Sequence, residues 1–117
     1  MSGLSTTQAG KSGPYYELTV IYAPRNAANV ADVVNTTIAQ ATKAGFEVCT
    51  MEIDGKKTLA YPVRDEDGKE HAKGVFAYFT LSGCGRAFEL SRTLDADNQV
   101  LRYLLVKAVD RNSKGVK

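Results

Sequence analysis

The sequence predicts an α+β domain in which two helices cover one side of a four-stranded antiparallel sheet. Three observations carry this expectation. Tyr15 to Ala23, Gly74 to Leu81 and Val100 to Val109 are rich in aliphatic and aromatic residues over strand-like lengths. The stretch after Asn26 instead repeats apolar residues at spacings of three and four, the period of a helix with one buried face. Finally, 117 residues with 44% apolar content fill one core and leave little for a second domain.

Taken in order, the first strand puts Leu18, Val20 and Tyr22 on one face and Glu17, Thr19 and Ile21 on the other, and Pro24 ends it. Asn26 is the candidate cap of the first helix, whose inward stripe is Val30, Val33, Val34, Ile38, Ala41 and Ala44 and whose stop is Gly45. From Phe46 to Ile53 the chain is extended again. Its inward candidates Val48 and Met51 lie three apart, so a β-bulge near Cys49 or Thr50 is expected, and Gly55 marks a second irregularity.

The extended chain resumes at Lys57 and carries Leu59, Tyr61 and Val63, which share parity and are read as one packed apolar face. A polar loop from Arg64 to Lys73 follows, with Asp67-Gly68 as its turn signal. The return strand, Gly74 to Leu81, sends Ala77, Phe79 and Leu81 one way and Phe76, Tyr78 and Thr80 the other. Beyond Ser82-Gly83-Cys84-Gly85 comes a short helix with Phe88, Leu90 or Ser91, and Leu94 inward, ending between Asp95 and Asn98. The last strand is Val100 to Val109. Strand, helix, strand, strand, helix, strand is the split βαβ order of a ferredoxin-like sandwich. Its open side then carries Ile21, Phe76, Tyr78, Arg102 and Leu104, an apolar and aromatic surface suited to a partner.

Charge narrows the classes of partner. The formal balance is +2, yet residues 15–107 hold 11 Lys/Arg against 12 Asp/Glu, so the basic excess sits in the tails. The body lacks a strongly basic footprint, and any RNA contact must draw on local clusters, the tails or a more basic partner. Residues 1–14 read as a disordered extension, 15–109 as the domain and 110–117 as a flexible basic tail. No stretch approaches the roughly 18 apolar residues of a membrane span. The two cysteines, Cys49 and Cys84, suit neither a disulfide framework nor a zinc site, which favours a reducing, cytoplasmic setting without a metal or other cofactor.

The inventory also argues against catalysis on a small-molecule substrate. His71 is the single histidine and sits in the polar loop, away from any nucleophile or second base. Ser82-Gly83-Cys84-Gly85-Arg86 resembles a phosphate-binding turn only superficially and reads better as a connection into the second helix. The acidic run Asp65-Glu66-Asp67 with Glu70 reads as solvated loop.

Gly45 through Val63, with its Gly55-Lys56-Lys57 and Leu59-Ala60-Tyr61-Pro62 runs, resembles the small-subunit ribosomal protein six family of bacteria and organelles. The opening Tyr16-Glu17 pair with its aliphatic run to Pro24, Gly74-Val75-Phe76, and Val100 to Lys107 extend the likeness over about residues 15–107. The loop 64–73 is longer than the family usually has, and the family normally starts almost at its first Tyr. The resemblance implies a structural role in the small ribosomal subunit, on the central domain of its rRNA and paired with ribosomal protein eighteen. The residues that would meet RNA or partner are Tyr16, Lys56, Lys57, Arg64, Phe76, Tyr78, Arg102 and Lys107, the basic ones reaching phosphate and the aromatic ones a protein or base surface. Lys56 and Lys57 suit a solvated hairpin flank equally well, and Phe76 and Tyr78 would also serve to cover the sheet beneath a tail. A dimeric small-molecule-binding regulator of the same topology is the alternative reading.

Overall fold

The computed structural model describes residues 14–65 and 67–108, so the expectations for residues 1–13 and for the tail from 109 onward lie outside the described residues. Within them the order is β1 (Tyr15–Tyr22), a 3-10 segment (Pro24–Asn29), α1 (Val30–Lys43), β2 (Glu47–Arg64), β3 (Glu70–Ser82), α2 (Ala87–Asp95) and β4 (Val100–Ala108). The strands form one antiparallel sheet in the order β2-β3-β1-β4. This is the ferredoxin-like arrangement expected from the sequence.

The core follows from strand parity. Leu18, Val20 and Tyr22 of β1 and Val75, Ala77, Phe79 and Leu81 of β3 are all 2% exposed or less and face the helices, which contribute Val33, Val34, Ala41, Leu90 and Leu94. The Tyr22 hydroxyl stays buried by pairing with Thr37 Oγ1 of α1 at 2.6 Å. Tyr103 on β4 finds a similar outlet by donating to the carbonyl of Ser91 at 3.2 Å.

Four expectations about elements change. Asn26 does not cap the α-helix: Pro24 starts a 3-10 turn, for which its fixed φ is suited, and that turn leads straight into α1 with Asn29 at the cap position. The C-terminus behaves as expected, since Gly45 takes φ +99° and the amides of Gly45 and Phe46 return to the carbonyls of Thr42 and Ala41. Phe88 is 76% exposed, because it lies two positions before Leu90 and the inward stripe is Ala87, Leu90 and Leu94. Phe88 instead lies beneath the Arg92 guanidinium, 5.9 Å from the ring centre.

The third and fourth changes concern the hairpin. The expected bulges are present, between Val48 and Thr50 and between Ile53 and Gly55, where Gly55 takes φ +93°. They keep Val48 and Met51 opposite the inward Leu81 and Phe79, but β2 is an edge strand and Met51 stays 43% exposed. The two extended pieces of β2 form one strand, and β3 begins at Glu70 rather than Gly74, so the loop contracts to a turn over 65–69. Between Thr58–Lys73 and Val63–His71, four residues of β2 stand opposite one of β3. Parity therefore fails there, and Tyr61 is 81% exposed instead of packed with Leu59 and Val63.

Replacing Leu90, fully buried on α2, with Ala should lower the urea-unfolding free energy by about 2–5 kcal/mol. Burial pushes the Tyr22 phenol from 10.0 up to about 12, with the Thr37 hydrogen bond opposing that shift in part. The folded state thus holds this proton to higher pH than the unfolded chain. Its contribution to stability is complete below pH 10 and lost as pH rises toward 12, at no more than about 1.4 kcal/mol per pH unit. Tyr22→Phe should remove that part of the alkaline slope in urea titrations, at a cost of about 1 kcal/mol near neutrality.

Candidate interface on the open sheet face

The residues of β1, β3 and β4 that alternate with the core form the side not covered by helices. Cross-strand neighbours there are Phe76, Ile21 and Arg102 in one row, and Glu52, Tyr78, Thr19 and Leu104 in the next. A third row holds Thr50, Thr80, Glu17 and Val106. Leu104 is 62% and Val106 44% exposed. The five open-face residues expected from alternation therefore share one surface.

Polar contacts order its β2 side. The Lys57 ammonium lies 5.6 Å from the centre of the Phe76 ring and pairs with Asp54, whose carboxylate also accepts from the Tyr78 hydroxyl at 3.3 Å. The hydrogen bond from Lys57 holds the Asp54 carboxyl below its usual range, and Asp54 raises Lys57 in return. Glu17, Glu52 and Asp54 thus set three carboxylates around an apolar centre that also bears Lys57 and Arg102.

Of the residues expected to meet RNA or partner, Lys57, Phe76, Tyr78 and Arg102 share this face. Tyr16 and Lys107 do not: they face each other across β1 and β4 on the helix side, where the Tyr16 ring meets Phe46 edge-on at 5.1 Å. Lys56 stands opposite the inward Val75 and is exposed. Arg64 lies at the hairpin turn, donating to the Gly68 carbonyl at 3.4 Å and pairing with Glu70 at 3.2 Å. Asp54 and Arg25 lie outside the expected set, and Tyr61, expected on a packed face, is exposed. Pro62, which cannot donate to a strand ladder, was the sequence signal that pairing breaks beside Tyr61.

The turn itself is built, not merely solvated. Asp65 Oδ1 accepts from the amides of Asp67 and Lys69, both at 2.9 Å, and Oδ2 lies 2.8 Å from His71 Nε2. The His71 side chain is only 9% exposed. The connection Ser82 to Arg86 is likewise tied down: the Arg86 amide bonds the Ala44 carbonyl at 2.7 Å, and its guanidinium bonds the Lys43 carbonyl at 2.9 Å. Among the described residues no group of three or more potential metal ligands occurs, and no helix is long and apolar enough to cross a membrane.

Residues 15–107, nearly the whole described region, match the family model for Ribosomal protein S6. The chain belongs to the ribosomal protein S6 family. That family is structural rather than enzymatic, which agrees with the sequence inventory. Among its relatives, small ribosomal subunit protein bS6 of Prochlorococcus marinus (strain MIT 9303) is 30% identical over 96 residues, 80% of this chain and 73% of that protein. The bS6 of Synechococcus sp. (strain CC9902) is 31% identical over 96 residues, 80% and 72% of the two chains. The crystal structure of 30S ribosomal protein S6 from Thermotoga maritima superposes with a TM-score of 0.67 at 19% identity. It covers 90% of this chain and 96% of its own, a likeness of fold.

The hydrogen bond to His71, and after it that to the Lys69 amide, hold the Asp65 carboxyl below its ordinary range. The contribution of Asp65 is therefore present above the unfolded value and lost as pH falls through the lower folded one. Hydrogen exchange should show the Asp67 and Lys69 amides losing protection in Asp65→Ala at neutral pH, and in the unmodified chain only in acid. Unchanged protection in the variant would remove Asp65 as the organiser of the turn.

Proposed function

We propose that this chain is a structural component of the small ribosomal subunit that binds the central domain of the small-subunit rRNA together with ribosomal protein eighteen. One observation supports this reading above others: an uncovered sheet face with an apolar and aromatic centre, ringed by Glu17, Glu52 and Asp54. Such a surface suits a basic protein partner, with Phe76, Tyr78 and Leu104 as packing groups and the carboxylates as the complement to its charge. Arg102 and Lys57 stand at the same face and suit phosphate or a partner carboxylate.

The other cations expected at the site lie off this face. Lys56, Arg64 and Lys107 project from the hairpin and from β4, where they would reach RNA phosphates flanking the partner. A near-neutral body is consistent with this division, because a basic partner supplies the rest of the phosphate neutralisation. Tyr16, packed on Phe46, would act by supporting the sheet end.

Titration of an rRNA central-domain fragment at physiological salt, with this chain, with protein eighteen and with both, tests the proposal. The pair should bind far more tightly than either alone. Arg102→Glu and Tyr78→Ala should each remove roughly tenfold or more of that gain. Absence of binding in every mixture, with this chain sedimenting as a dimer, would overturn the ribosomal role and favour a dimeric regulator.

A further inference from the structure

A cleft of about 640 Å³ lies where the arm of the β2–β3 hairpin approaches the end of α2 and the start of β4. Its polar walls come from segments distant in sequence: Arg25 from the 3-10 segment, Arg64 and Asp67 from the hairpin, Asp95 from α2 and Arg102 from β4. Tyr103 adds an aromatic wall. The volume is that of a small-ligand site, for which ~300–1,000 Å³ is usual.

The charges lining it are uneven in their commitments. Arg64 is shared with Glu70, and Asp65 is held by His71 and two amides. Arg25 and Arg102 form no ion pair among the described residues, and each donates only to a backbone carbonyl, Asn98 at 3.4 Å and Leu101 at 3.0 Å. Asp67 and Asp95 have no cationic partner there either. Two uncommitted guanidiniums and two uncommitted carboxylates therefore line one cavity without neutralising each other.

A simple anion would satisfy the arginines and be repelled by the aspartates, and a simple cation would meet the reverse. The lining instead matches a ligand with acceptors at one end and donors at the other. A nucleotide has this form, since its phosphate suits the fork of an arginine and its base edge carries hydrogen-bond donors. Guanine is the base whose Watson–Crick edge presents two adjacent donors, N1–H and the 2-amino group, to the two oxygens of one carboxylate. We infer that the cleft holds a single unpaired guanine nucleotide of an RNA strand, its phosphate at Arg25 and Arg102 and its base edge at Asp67 or Asp95. Single-stranded segments are the parts of RNA whose base edges are free for such reading. This inference rests on the RNA-binding proposal above and adds to it a site and a base.

The test uses the full chain, labelled with ¹⁵N, and follows its amide and arginine side-chain signals during titration with guanosine 5′-monophosphate, uridine 5′-monophosphate and inorganic phosphate. The guanine nucleotide should shift the signals of Arg25, Arg102 and residues 94–103 at concentrations at least tenfold below those that uridine monophosphate or phosphate requires. Arg25→Gln should weaken both nucleotides about equally. Asp67→Asn with Asp95→Asn should erase the preference for guanine while leaving the spectrum elsewhere unchanged. Equal shifts with phosphate alone, no shift at the cleft, or a guanine preference that survives the double substitution would each overturn the assignment. The rRNA-fragment titration separates the two readings: fragment binding without nucleotide shifts at the cleft removes only this site. Nucleotide shifts without fragment binding remove the ribosomal role and leave the site.

Discussion

The register of the central strand pair is the constraint on which the rest depends. β1 and β3 pair without interruption from Tyr15–Ser82 to Tyr22–Val75, and alternation along them separates a sealed helix-facing side from an uncovered one. A slip of one residue would turn Leu18, Val20 and Tyr22 outward and bury Glu17 and Thr19. The same pairing that closes the core therefore sets Ile21, Phe76 and Tyr78 side by side. Neither surface can be adjusted without the other.

This explains what was legible in the sequence. Where strands alternate cleanly and the helix period is strong, as in β1, β3 and α1, the residues alone located both the core and the open-face group of Ile21, Phe76, Tyr78, Arg102 and Leu104. Errors gathered where parity loses its meaning. Spacing from Leu59 and Val63 puts Tyr61 on a packed face, yet four residues there face one across the ladder. Their polarity makes Asp65 and His71 look like loop, although the two pair across the turn and His71 lies within β3. Arg25 carries no signal in the sequence, because only the fold brings it to the same cleft as Arg102, 77 positions on in a chain of 117.

Charge is distributed by surface rather than by segment. The body carries 11 basic against 12 acidic residues, a balance that conceals a division. Carboxylates ring the apolar centre of the open face, whereas Arg64 and Lys56 stand on the hairpin and Arg25 and Arg102 line the cleft beside it. Tethering of Lys57 by Asp54 makes that side of the sheet less basic than its composition suggests. A count of charges along the chain is blind to such an arrangement.

The irregularity of β2 has a consequence for self-association. An exposed strand of 18 residues at the margin of a sheet would ordinarily be a template for another molecule's backbone. Here the ladder breaks at Cys49, at Asp54 and across residues 59–62, so no run of more than four residues stays in register. Pro62 and the charged Glu52, Lys56 and Lys57 interrupt it further. β4, on the opposite margin, keeps continuous pairing from Arg102 to Ala108 and carries exposed Leu104 and Val106. The protein thus breaks the register of one border of its sheet, while on the other only the charges of Arg102 and Lys107 guard a continuous strand, so that β4 is where crowding in concentrated solution would first join two copies.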